Sequence, residues 1–370
     1  MNSTKRVVVY GANGYTGRLV CEFLRQFQIP FRAVGRNRQR LEEAMRLVPG
    51  IETADYEVVE AGHDVAALAK AFAGAEVVCN IVGPFVRYGE TVVQAALAAG
   101  CHYLDTTGEQ PYMLKLRDEY GAQFAAKGLL LAPATAYMHA MLEIAVDACA
   151  EHPEIDSIEA TCIPTGTPTF GSTQTFIQMV RAKEYFLEAG KLSAWPPAFG
   201  IDVASPHSLT PMFALPWSGS PLPLWFQNHK RIRNLKSLTS FTNRELMLGI
   251  HSIFKMYHEK LAQLPEAEQV AELEKIGAGM QPGMPPRENP LVHRCYDVAI
   301  GTGAMGSVRY VVYSHSPYQV TGLFQAYACS LLLGEGPTAV GFRSPGQAFG
   351  TKNFMGLLER FGYARLVREK

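Results

Sequence analysis

One short segment constrains this 370-residue chain more than any other: Val7-Val8-Val9-Tyr10-Gly11-Ala12-Asn13-Gly14-Tyr15-Thr16-Gly17-Arg18. A β-branched run ends in three glycines at three-residue spacing. Apolar residues at helical spacing follow at once: Leu19, Val20, Phe23, Leu24 and Phe27. The pattern predicts strand, tight turn, amphipathic helix. Gly11 closes the turn, Gly14 lets an anionic ligand approach the backbone, and Gly17 permits close helix–strand packing. The helix start then presents unsatisfied N–H groups and the positive end of its dipole. G-x-x-G-x-x-G is a variant of the dinucleotide fingerprint. Gly11, Asn13, Gly14, Tyr15, Thr16 and Gly17 are therefore candidate contacts for a pyrophosphate. The competing reading is a purely structural turn.

The rest of the first 140 residues repeats the alternation. Short apolar runs at 31–34, 56–60, 76–82, 102–105 and 129–132 are separated by helical patterns. Six such strands predict a parallel sheet covered on both faces, a doubly wound α/β Rossmann domain. The second strand ends in Gly35-Arg36-Asn37-Arg38. An NAD site usually has an acid here for the ribose 2′-hydroxyl, whereas arginine accommodates a 2′-phosphate. Arg36, Asn37 and Arg38 therefore point to NADP(H), against a reading as a solvated basic helix start.

Composition narrows the function. Lys+Arg and Asp+Glu both number 34, giving a formal net charge of zero, which argues against a general nucleic-acid binder. Hydrophobic residues make up 48% and charged residues 18%, an ordinary globular mix. The 7 cysteines never form a C-x-x-C pair, so neither a disulfide framework nor a zinc cluster is expected, and no metal site is assigned. The first residues read as no secretory signal, and the apolar stretch 129–150 is broken by His139, Glu143 and Asp147. A cytoplasmic location without a transmembrane segment is expected.

Three further motifs carry a resemblance: Asn80-Ile81-Val82-Gly83-Pro84-Phe85, Tyr88-Gly89-Glu90, and Ala99-Gly100-Cys101-His102-Tyr103-Leu104-Asp105-Thr106-Thr107-Gly108-Glu109. With the glycine loop and Gly35-Arg36-Asn37, they recur in the order and spacing of the saccharopine dehydrogenase-like oxidoreductases. The sequence resembles that superfamily over residues 5–135, and more faintly near 317–333 and 346–362. The branch that includes trans-acting enoyl reductases of lipid biosynthesis is the one it is most similar to. The resemblance implies an NADP-binding Rossmann domain at 1–140, an inserted α+β substrate domain at 141–316, and C-terminal helices at 317–370 that return to the Rossmann domain. It also implies that Gly83 and Pro84 lie beside the cofactor's ribose and nicotinamide.

After the sixth strand the chain departs from the superfamily's Gly-Phe-Asp-Ser-x-Pro-type run and has Pro133-Ala134-Thr135-Ala136-Tyr137-Met138-His139-Ala140. Tyr137 and His139 are the candidate catalytic groups, because a phenol or imidazole can donate to a developing enolate or alkoxide. Tyr88 and Tyr103 are weaker candidates, and each competes with a packed-residue reading. No Tyr-x-x-x-Lys pair or Gly-x-Ser-x-Gly elbow suits a short-chain dehydrogenase or a serine hydrolase.

Residues 193–226 hold all 3 tryptophans and a single charge, Asp202. This reads either as an apolar wall over a lipid-like substrate, with peripheral membrane contact, or as inter-domain or homodimer packing. Three functions follow: an NADPH-dependent reductase of a C=C or C=O bond in an apolar substrate, a saccharopine-type amino-acid dehydrogenase, or a non-enzymatic NADP-binding regulator.

Overall fold

A computed structural model describes residues 6–166, 168–206, 208–216, 220–280 and 284–369. The chain divides into two compact units, one built from 1–107, 112–140 and 318–354, the other from 108–111, 141–317 and 355–370.

In the first unit strands and helices alternate: β1 (Val7–Tyr10), α1 (Tyr15–Gln26), β2 (Phe31–Gly35), α2 (Arg38–Arg46), β3 (Tyr56–Glu60), α3 (Val65–Phe72), β4 (Val77–Asn80), α4 (Phe85–Ala99), β5 (His102–Asp105), α5 (Gln110–Lys115), α6 (Gly121–Ala126) and β6 (Leu130–Ala132). Every residue of β1 and β4 is buried, as expected of central strands covered on both faces, whereas β3 at the sheet edge is partly exposed. Side chains start several helices: Asn37 accepts from the Arg40 amide and Asp64 from the Ala67 amide.

The second unit contains α7 (Leu142–Ala150), β7 (Ser157–Ile163), α8 (Phe170–Met179), β8 (Tyr185–Glu188), β9 (Lys191–Ala194), β10 (Ile201–Val203), β11 (Met212–Ala214), α9 (Leu222–Phe226), β12 (Asn234–Thr239), α10 (Arg244–Met256), α11 (Glu266–Met280), β13 (Arg294–Gly303) and β14 (Gly306–His315). Beyond them lie α12 (Pro317–Gly334), β15 (Gly341–Phe342), α13 (Pro345–Phe349), α14 (Thr351–Arg360) and β16 (Ala364–Glu369).

The first sheet has the order β15-β6-β5-β4-β1-β2-β3 and every pairing in it is parallel. This is the doubly wound Rossmann order with one strand added beside β6. The second sheet is mixed, in the order β16-β14-β13-β7-β12-β8-β9.

Three local expectations are corrected. The sequence predicts one helix over residues 173–188; they form the end of α8 and then β8, which pairs with β9 across a turn at Ala189 and Gly190, both at positive φ (48° and 79°). The sequence predicts neither helix nor strand over 193–226; the stretch contains the antiparallel pair β10–β11 and the short helix α9, whose Leu222, Leu224, Trp225 and Phe226 are buried. Trp217 lies outside the described residues. The tail does not return whole to the first unit: residues 355–370 belong to the second, where β16 pairs with β14.

Candidate functional site

The glycine loop joins β1 to α1 at the point where the strand order reverses, between β1 and β4. Open α/β sheets bind ligands in the crevice at such a switch point, outside the carboxyl ends of the strands. Gly11 has φ +89°, and its N–H donates to the Val34 carbonyl at 2.9 Å. A Cβ on Gly17 would lie 2.2 Å from the Gly11 carbonyl oxygen and 2.8 Å from Ala12 Cα, so only glycine lets α1 start this close to β1. A Cβ on Gly14 would meet only the Gly11 carbonyl oxygen, at 3.3 Å. Gly14 is also the N-cap of α1, and no side chain caps that end. Tyr15 and Gly17 are buried, Thr16 is half-buried, and Asn13 is exposed, with its Oδ1 near Gly35.

The three residues after β2 separate into different roles. Asn37 spends its side chain on the Arg40 amide at 2.9 Å. Arg38 is tied twice, its backbone N–H to Glu60 Oε2 at 2.9 Å and its guanidinium to Glu42 at 3.5 Å. Arg36 is exposed, and its charge acts on Tyr10 and His63. The His63 Nδ1 sits 2.8 Å from the Tyr10 hydroxyl, while its buried Nε2 has no hydrogen-bond partner. Burial first, and then Arg36, holds this imidazole below its usual range, so it stays neutral near pH 7. Tyr88 meets the same ring edge-on at 5.3 Å. Sequence reasoning passed over His63, because a lone histidine in a short loop has no periodicity to mark it.

Gly83 and Pro84 follow β4, are joined by a cis peptide bond, and Pro84 is the N-cap of α4. Tyr103 is fully buried in a chain of hydrogen bonds, receiving one from Asn80 Nδ2 at 2.8 Å and lying 2.9 Å from the Tyr112 hydroxyl. Burial pushes its phenol well above the usual range. Tyr103 thus belongs to the core rather than to an open crevice.

After β6 the chain makes a tightly held turn. Ala134 has φ 59°, a conformation that a non-glycine residue keeps only when its surroundings enforce it. Those surroundings are Asp105, whose Oδ1 accepts from both the Thr107 amide (3.0 Å) and the Ala134 amide (2.8 Å), and Gln325, whose Nε2 donates to the Asp105 carbonyl (2.9 Å) and the Thr135 carbonyl (2.7 Å). The Tyr137 amide donates to Thr321 Oγ1 at 3.1 Å. A single π-helical turn, Tyr137–Met141, follows, a geometry frequent at functional sites. Tyr137 and His139 are thus brought together on one turn, exposed by only 2% and 3%. His139 Nε2 is buried without a partner, and burial pulls its pKa down to about 3. Asp105 is pushed the other way, to about 7, chiefly by burial. Hydrogen bonds from the Thr107 and Ala134 amides and from the Tyr103 and Tyr112 hydroxyls oppose that rise. Among the described residues no group of three or more His, Cys, Asp or Glu is arranged to hold a metal ion.

An uncapped helix start, a backbone cradle that side chains would fill and an exposed arginine after β2 suit a dinucleotide with a 2′-phosphate. That arrangement defines a class of site, the dinucleotide site of Rossmann folds. Residues 7–126 match the saccharopine dehydrogenase NADP binding domain. Residues 140–368 match the family of unknown function DUF5938, to which the chain belongs. The cofactor is NADP(H). The chain is 35% identical over 136 residues to a lipid droplet localized protein of Caenorhabditis elegans, covering 35% of this chain and 32% of that one. It is 35% identical over 125 residues to a trans-acting enoyl reductase of Mycobacterium bovis, covering 33% and 30%. The chain thus spans about a third of the length of these curated relatives. In fold it is similar to saccharopine dehydrogenase (L-Glu forming) from Saccharomyces cerevisiae, with a TM-score of 0.62, 13% identity, and coverage of 99% of this chain and 100% of that one.

Proposed function

We propose that this chain is an NADPH-dependent reductase of a C=C (enoyl or enone) or C=O bond in a small, apolar, lipid-like substrate. The observation that carries the reading is the pairing of the uncapped glycine loop with Arg36, the one of the three residues after β2 whose side chain is not spent on its own helix. Gly11, Asn13, Gly14, Tyr15, Thr16 and Gly17 would hold the pyrophosphate, Arg36 the 2′-phosphate, and Gly83 and Pro84 the ribose and nicotinamide. When bound, NADPH supplies the hydride. Asn37 and Arg38 act indirectly, by starting α2 and so fixing where Arg36 stands.

Tyr137 or His139 protonates or polarises the far end of the reduced bond. A buried imidazole that resists protonation enters as a neutral N–H donor, as in enzymes that polarise a carbonyl with neutral histidine. Asp105 and Gln325 position the turn that carries both groups. The relative named as a trans-acting enoyl reductase supports conjugate reduction. The relative named for lipid droplets supports an apolar substrate met in the cytoplasm or at a lipid surface. Among the described residues no helix is long and apolar enough to cross a membrane.

The test is NADPH consumption with a panel of enoyl thioesters, enones and ketones of increasing chain length. Turnover with at least one apolar member is expected. Tight NADPH binding without turnover on any of them would return the chain to the class of cofactor-binding regulators.

A further inference from the structure

The second unit contains a cavity of about 300 Å³ between α8, α10 and the end of α11. Its wall is formed by Phe176 and Ile177 of α8, Phe241, Leu246 and Ile250, with Met280 at the mouth, since that side chain both lines the cavity and is 39% exposed. Phe176, Ile177, Phe241 and Ile250 are otherwise buried. One polar atom in its wall has no hydrogen-bond partner within the protein. Thr173 is 4% exposed, lines the cavity, and its Oγ1 has no hydrogen-bond partner. A helical threonine usually gives this hydroxyl to the carbonyl one turn back, so its isolation here is specific. Thr242 and Asn243 form a polar, exposed rim, and Asn243 Oδ1 is already engaged by the Leu246 amide.

An apolar void of this size destabilises a fold unless something fills it, and a buried hydroxyl without a partner adds to the cost. The volume lies at the lower end of small-molecule sites. Divided by the roughly 30 Å³ that a water-sized group occupies, it holds about ten such groups. We propose that this cavity is an acyl-chain site, taking a single aliphatic chain of up to about ten carbons whose oxygen accepts a hydrogen bond from Thr173. The apolar wall takes the methylenes, and the flexible Met280 adapts to chains of different shape. The proposal rests on the reductase reading for the identity of the chain, an acyl substrate, but not for its existence.

Binding to the full chain is measured by titration calorimetry with decanoic acid as the probe and with butyric acid. Saturable binding is expected for decanoic acid and none for butyric acid. Ile177→Trp, which fills the cavity, should weaken probe binding by about tenfold or more. Thr173→Val, which keeps the shape and removes the hydroxyl, should weaken it by about threefold to tenfold, the worth of one hydrogen bond. NADPH affinity and a cooperative melt report that each variant is folded. Should Ile177→Trp fail to fold, Ile250→Phe and Thr173→Val carry the test. Absence of probe binding, or equal binding by the wild type and every folded variant, overturns the proposal. Chain binding that the variants abolish, without NADPH turnover on any acyl substrate, keeps the cavity and removes the reductase reading. Turnover on acyl substrates that the variants leave unchanged does the reverse.

Discussion

A Cβ on Gly17 would stand 2.2 Å from the carbonyl oxygen of Gly11, while the same atom on Gly14 would find only that oxygen, at 3.3 Å. The two glycines therefore serve different ends. Gly17→Ala has backbone on the clashing side and must move α1, at a cost of about 1–3 kcal/mol. It should lower the melting temperature with or without cofactor. Gly14→Ala leaves the fold nearly unchanged and places a methyl group before the helix start, so it should weaken NADPH binding with little change in melting. Melting curves and titrations of both variants check this. A Gly14→Ala that binds NADPH as the wild type does would remove the loop from the cofactor site.

Arg36→Asp should weaken NADPH binding by about ten- to a hundredfold, the worth of one or two charged hydrogen bonds, and narrow or reverse the preference over NADH. Arg38→Ala should change stability by only about 0.3–0.5 kcal/mol, because its guanidinium serves an exposed i,i+4 pair with Glu42. Paired titrations with both nucleotides decide between them. Loss of NADPH selectivity in Arg38→Ala but not in Arg36→Asp would exchange the roles assigned here.

Much of the first unit was legible because its signals are local. Strand β1, the glycine loop and α1 lie within twenty-odd consecutive residues, and the apolar periods of β4 and α4 are equally self-contained. Strand β15 could not be read, since two residues, Gly341 and Phe342, become a strand only by pairing with Leu130 and Leu131. Strand β16 reads as a charged tail, and it is ordered by pairing with β14 and by the ion pair from Arg309 to Glu369. The candidate catalytic turn was found only in outline. Tyr137 and His139 stand out as departures from the superfamily pattern. The residues that fix them, Asp105, Thr321 and Gln325, meet across long sequence separations that no local pattern encodes.

Asp105 and His139 should pull the pH dependence of stability in opposite directions. The Asp105 carboxyl binds its proton more tightly folded than unfolded, so the stability it contributes is present at low pH and lost as pH rises from about 4 toward about 7. His139 binds its proton less tightly folded, so stability is lost as pH falls from about 6.5 toward about 3. Asp105→Asn should therefore gain on the wild type as pH rises through that first window, with the difference in melting temperature largest near pH 8. A difference that stays constant from pH 4 to pH 8 would show that Asp105 does not titrate there.

Tyr137→Phe and His139→Gln should each keep NADPH affinity, and one of them should lose about 10²–10⁴ in kcat, the usual contribution of a positioned proton donor. Because burial keeps His139 neutral, a dominant His139 would give kcat no limb in the usual histidine range, and any change between pH 5 and 8 would follow Asp105. If both variants turn over at the wild-type rate, the proton comes from water or from another group and the π turn has no chemical part.

If this chain passes a hydride from NADPH to an apolar unsaturated substrate, an isotopic label follows the same route. The direct measurement uses NADPH deuterated at the transferable position of the nicotinamide, with the apolar enoyl thioester or ketone that supports fastest turnover, and mass analysis of the product. One deuterium per product molecule is expected on the reduced carbon, with the label retained when the reaction runs in ordinary water. A product without deuterium, or bound NADPH that is never consumed by any member of the panel, would rule out hydride transfer by this chain.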